Sequence, residues 1–185
     1  GEGTLEGADV NKSTVNGGAD AEWVSASGVL SVGAIYGNSG NDTLVVNDVA
    51  TSASTYGGAG NDSMTFGGAA NTLTYEGGIG ADTLKVTGAI NSSTIYGDNA
   101  SAVVAGADSI SIGGTASGSY IYANSGDDSV HIVGNVTAST VYLNTGDDSI
   151  SIDAGLIAGS VYGGSGKDSV YIVNGASTAA LIDGG

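Results

Sequence analysis

Eight acidic residues fall on a nearly fixed interval: Glu22, Asp42, Asp62, Asp82, Asp108, Asp128, Asp148 and Asp168. The step is 20 residues everywhere except between Asp82 and Asp108, where it is 26. Carboxylates gathered in a row are ligands for hard cations, and calcium takes six to eight oxygens from carboxylates and backbone carbonyls. Their mutual repulsion makes a cation more than incidental. Two carboxylates about 4.8 Å apart repel by ~3.5 kcal/mol at an effective dielectric near 20. Several such pairs rival the whole stability of a small domain, on the order of 5–15 kcal/mol, so ion binding and folding are expected to be one event.

A row of this kind needs a scaffold with the same period. A repeat of 20 residues is the mark of a solenoid in which each repeat forms one coil. Two residues after each acid stand Val24, Leu44, Met64, Leu84, Ile110, Val130, Ile150 and Val170; four after stand Ala26, Val46, Phe66, Val86, Ile112, Ile132, Ile152 and Ile172. All are apolar, and the alternation is that of a short strand with one buried face. Eight after the acid come Leu30, Ala50, Ala70, Ile90, Ala116, Val136, Leu156 and Ala176; thirteen after come Ile35, Thr55, Tyr75, Ile95, Ile121, Val141, Val161 and Leu181. These read as a turn and a second inward strand. The expectation is an all-β, right-handed parallel β-roll or β-solenoid, with two short strands per coil and roughly nine coils, forming one domain over residues 1–185. The six extra residues predict a loop inserted near residues 98–105 on the acidic edge. The pattern is running at Leu5 and again at Asp183-Gly184-Gly185, so the chain is expected to be a segment of a longer array.

Composition narrows the partners. Three Lys and Arg face 19 Asp and Glu, a formal net charge of −16, which argues against nucleic acid and anionic membranes and for cations. There is no Cys, hence no disulfide, thiolate metal site or thiol nucleophile. No apolar run reaches membrane-spanning length, so no membrane insertion is expected. The only histidine, His131, lies between inward Val130 and Ile132 and should face solvent. No acid, base and nucleophile trio assembles around it, and the Asp127-Asp128 and Asp147-Asp148 pairs lie within the repeat turns, so no enzyme activity is expected. A Tyr recurs fourteen after the acid, at Tyr36, Tyr56, Tyr96, Tyr122, Tyr142 and Tyr162, and reads as a ladder that supports the sheet.

Three turns match Gly-Gly-x-Gly-x-Asp-x-apolar-x: residues 57–65, 77–85 and 163–171. Three more carry Asn38, Asn124 and Asn144 at the second glycine. Here the chain resembles the haemolysin-type calcium-binding (RTX) repeat family, and the resemblance covers nearly its whole length. It implies several calcium ions, about four to six, in one row between stacked turns. The ligands it implies are the carboxylates of Asp42, Asp62, Asp82, Asp108, Asp128, Asp148 and Asp168. Backbone oxygens would come from Gly40, Gly60, Gly80, Gly126, Gly146 and Gly166, and from Asn38, Gly58, Gly78, Asn124, Asn144 and Gly164. The insertion marks Asp82/Asp108 as the weakest position, and Glu22 as a poor binder or cap. The resemblance further implies a secreted or cell-surface bacterial protein that leaves the cell by type I secretion and folds in extracellular calcium. A structural role similar to that of surface-layer proteins leads, with neighbouring repeats or further copies in a lattice as partners. The alternatives are a carboxy-terminal secretion and folding module of an extracellular protease or lipase, and an adhesive module that binds glycans on the Tyr ladder.

Overall fold

A computed structural model of the protein describes residues 4–7, 10–99, 106–175 and 177–185. Each repeat forms one coil of a parallel β-solenoid, and equivalent strands of successive coils pair in parallel. Among the described residues the three resulting sheets hold nine, eight and nine strands. One coil shows the plan: Ser129–Ile132 lies in the first sheet, Val136–Thr137 in the second and Thr140–Thr145 in the third. Register holds from coil to coil, with Val130 between Ile110 and Ile150, and Val141 between Ile121 and Val161. The six extra residues leave it intact, since Leu84 pairs Ile110 and Ile95 pairs Ile121.

The expected coil of two strands is corrected to three, while the eight or nine strands of each sheet agree with the expected number of coils. The row eight after the acid is a strand of its own, fully buried at Leu30, Ala50, Ala70, Ile90, Ala116, Val136 and Leu156. Just beyond it the backbone turns left-handed at Val32, Ser52, Thr72, Ser92, Ala138 and Ala158, with φ between 48° and 54°. A strand of two residues is too short to show alternation, which is why the period-2 signal passes over it. The last coil brings a second correction. Ile182, not Leu181, pairs Val161, and both Leu181 and Ile182 are about half exposed at the end of the rod. Ala176, placed in the second row, and the inserted loop at 100–105 lie outside the described residues. Asp98, expected in that loop, instead ends the strand Thr94–Asp98 and is buried.

The core is a thin column of Val, Ile, Leu and Ala, with Phe66 and Tyr75 its largest side chains. Close packing leaves no slack for truncation. Ile121→Ala, at a fully buried site, is expected to cost about 2–5 kcal/mol. Ile157→Ala, on an exposed position of the second sheet, should stay within about 0.5 kcal/mol. Urea midpoints of the two variants check the contrast. On the third sheet Tyr36 stacks on Tyr56 with ring centroids 4.8 Å apart, and Tyr96, Tyr122, Tyr142 and Tyr162 stack in series at 5.0 Å. Glu76 stands between the two stacks.

Candidate cation-binding ladder

Each coil passes from its third strand to the first strand of the next through one turn, of which 57–62 is typical. The chain must reverse tightly there. Asn38, Asn124 and Asn144 take positive φ of 80°, 82° and 78°, matching the glycine that fills the same register in other coils. The turn wraps around its own aspartate. Asp42, Asp62, Asp82, Asp108, Asp128 and Asp148 are buried, none more than 7% exposed, and Asp168 is partly buried. The acids therefore point into the coil rather than along a solvated edge. Asp127 and Asp147, their sequence neighbours, face outward, so the adjacent acids are on opposite sides of the backbone and form no acid pair.

One carboxylate oxygen of every aspartate in the row is satisfied. The backbone N–H of Glu22 donates to Asp42 Oδ1 at 2.8 Å, that of Asp42 to Asp62 at 2.8 Å and that of Asp62 to Asp82 at 2.7 Å. Asp82 donates to Asp108 at 2.8 Å, so the ladder crosses the insertion unbroken. It continues through Asp128 and Asp148 to Asp168, the last rung being 3.1 Å. All rungs run the same way, from an amide to the carboxylate one coil later.

The second oxygen has no such partner. Oδ2 of all seven aspartates, and Oε2 of Glu22, are buried with no hydrogen bond from the protein. The surroundings of these oxygens are specific. A methyl group on Gly37, Gly57, Gly77 or Gly97 would strike Oδ2 of the acid in the same turn and, with it, the carbonyl oxygen of the matching residue one coil on: Gly57, Gly77, Gly97 and Ala123 respectively. Gly163 stands in the same relation to Asp168 Oδ2 and the Gly184 carbonyl. A carboxylate oxygen and a carbonyl oxygen thus pack against the same glycine, and both are acceptors. A buried carboxylate oxygen without a donor is costly when charged, and a proton or a nearby cation would relieve that cost.

Electrostatics point the same way. Burial raises Asp62 and Asp148 to about 6, and Asp82, Asp108 and Asp128 to about 7, against the lowering effect of the backbone N–H each accepts. The neighbouring acids of the row push them further up. Asp42 is raised too, again chiefly by burial.

No family model matches the chain, and no curated protein and no solved structure matches it.

The polar atoms beside these glycines are carboxylate and carbonyl oxygens, the donor type that a hard cation takes. Among the described residues no three His, Cys, Asp or Glu side chains gather closely enough to cage an ion alone. An ion in this row would rest on a carboxylate and on backbone carbonyls, with the next coil supplying part of the set. The glycines Gly40, Gly60, Gly80, Gly126, Gly146 and Gly166 lie in the same turns, packed carbonyl to α-carbon against neighbouring coils. Gly58, Gly78 and Gly164 pack in the same way. The carbonyls beside the free carboxylate oxygens are those of the first residue of each turn, which spacing alone did not single out. At Asp128 and Asp148 that first residue is Ala123 and Leu143, both fully buried, so less room remains there. Spacing also passed over Asp98, whose only sequence signal is an acid where other turns carry Gly or Asn.

His131 lies on the outer side of the first sheet with Nε2 3.0 Å from Asp153 Oδ2, away from the row. Among the described residues no helix is long and apolar enough to cross a membrane.

Proposed function

We propose that this chain is a calcium-stapled structural rod, an RTX-like β-roll segment of a secreted or cell-surface bacterial protein, without catalytic activity of its own. One observation carries the reading: a file of buried Oδ2 atoms without a donor, at several turns set beside a carbonyl oxygen. Calcium suits an all-oxygen, mostly backbone ligand set better than magnesium, which demands a tighter octahedron and retains water. When bound, the ion supplies positive charge that the chain, with three Lys and Arg, does not provide. The protein's own part is to hold Oδ1 of each acid on an amide, so that Oδ2 is fixed in place. Extracellular calcium modules typically bind at about 0.1–1 mM, which would leave the rod unfolded inside a cell and folded outside. A surface-layer-like setting is favoured by the acidic charge, the scarcity of Lys and the lack of Cys. An exoenzyme folding module and a glycan-binding module are the alternatives. For the latter, the stacked tyrosines offer a flat face, and loss of glycan binding in Tyr96→Ala and Tyr142→Ala would favour it.

Calcium titration at neutral pH, followed by circular dichroism with ion stoichiometry, tests the reading. Several ions per chain and a rise in β signal are expected; a chain that takes up none overturns it. Asp62→Asn sharpens the test, because Asn keeps an acceptor for the Asp42 N–H and removes the charge. This variant is expected to be more stable than the parent in chelator and to bind fewer ions, whereas Asp153→Ala should change neither.

A further inference from the structure

The tyrosine ladder of the third sheet has one break. Tyr36 stacks on Tyr56, and Tyr96 opens the series through Tyr122, Tyr142 and Tyr162, with ring planes within 11° of parallel in each pair. At the coil between them the same register holds Glu76, paired with Tyr56 on one side and Tyr96 on the other. Neighbouring strands lie about 4.8 Å apart, so the two ring-bearing coils are separated by roughly 9.6 Å. Tyr75 points into the core, which places Glu76 on the outer face of the sheet.

Local preference does not account for this residue. Glu is depleted in strand interiors, whereas stacked aromatic pairs stabilise them. The faces of aromatic rings carry partial negative charge and do not favour a carboxylate at this register. Among the described residues the Glu76 side chain forms no hydrogen bond and no ion pair. It is half-buried, and burial raises its carboxyl above the ordinary value. What would complete the break is flat and positively charged. A cation is attracted to an aromatic face within about 6 Å of the ring centroid, and the midpoint of the break is roughly 4.8 Å from each flanking coil. A guanidinium is planar, stacks on aromatic faces and pairs with a carboxylate through two parallel N–H donors. An ammonium has the charge but neither the plane nor the fork. The chain contains no Arg, so neither it nor a second copy supplies such a group.

We propose that Tyr56, Glu76 and Tyr96 form a recognition site for the guanidinium of an arginine on a partner polypeptide, held between the two rings and paired with the carboxylate. The site is independent of the calcium reading, because it is built on the outer face of a sheet whose register is complete on both sides.

Titration of the folded chain at about pH 8 with an acetyl-Gly-Arg-Gly-amide peptide, followed by the tyrosine ring resonances, tests the proposal. Tyr56 and Tyr96 should shift together and saturate, while Tyr142 and Tyr162 stay in place. The citrulline peptide, similar in shape but neutral, should not bind, and the lysine peptide should bind at least about fivefold more weakly. Glu76→Gln is expected to weaken binding about tenfold. Glu76→Tyr, which continues the ladder, should abolish binding and raise the thermal midpoint. The site is overturned by any of three results: no shift at Tyr56 and Tyr96, equal binding of the citrulline peptide, or an unchanged dissociation constant in Glu76→Gln. Should Glu76→Gln fail to fold, the comparison of the arginine and citrulline peptides on the unmodified chain decides.

Discussion

With calcium chelated, the chain is expected to be folded at about pH 5 and to lose its β structure as the pH rises to about 8. The carboxyls of the ladder are raised above their ordinary value of 3.8, to about 6 or 7 at five positions. A group whose value is raised on folding binds its proton more tightly in the native state. Its contribution is fully present below the unfolded value and is lost as the pH climbs through the folded one. Stability without metal should therefore fall from about pH 4 to just above 7, opposite in sign to ordinary acid denaturation. Each tenfold gain in proton affinity is worth about 1.4 kcal/mol, so Asp82, Asp108 and Asp128 each forfeit about 4 kcal/mol across that window. One such contribution is already a large part of the stability of a domain, ~5–15 kcal/mol.

Calcium should then restore the fold at the alkaline end, taking the place of the protons, and its affinity should weaken below about pH 6 as protons compete. Urea unfolding at several pH values, in chelator and in calcium, measures both effects. Equal stability at the two pH extremes in chelator would mean that the buried oxygens need neither proton nor cation.

Gly126→Ala and Gly118→Ala are expected to part company completely. Both glycines have positive φ, 128° and 56°. At Gly126 an added methyl would run into the Gly106 carbonyl oxygen of the preceding coil, backbone against backbone. Nothing there can rotate away, so the coils must separate and the ladder rung beside Asp128 is lost. A loss of more than about 4 kcal/mol, or failure to fold, is expected. At Gly118 the nearest atom to a methyl is Ser92 Oγ at 3.8 Å, and the same place in the next two coils is held by Ala138 and Ala158, both at φ 48°. That substitution should change stability by no more than about 1 kcal/mol. Thermal unfolding in saturating calcium checks the pair, and a tolerated Gly126→Ala would contradict the close stacking of the turns.

Periodicity made much of this molecule legible. The inward pairs from Val24 and Ala26 to Ile150 and Ile152 were visible because a strand of four residues contains two full alternations. The two-residue strands were not, since a single buried residue such as Ala70 has no pattern of its own. The acidic row could be read as a row, but not as an interior one. That it faces inward follows from the coil closing on itself at Gly57 and its equivalents, which depends on contacts 20 residues apart. Asp98 keeps the offset of its equivalents, sixteen after the preceding acid, but assigning the insertion to begin there placed it in the loop, and the register with Gly78 returns it to the strand.

The rungs of the acidic ladder share a direction, and that has a consequence for assembly. Each amide of the row depends on a side chain situated one repeat nearer the carboxyl terminus. A polypeptide emerging amino end first leaves the amide of its latest winding open until the following one arrives. One that emerges carboxyl end first leaves a carboxylate oxygen open instead, so the two ends of the rod differ: one presents unfilled acceptors and the other unfilled donors.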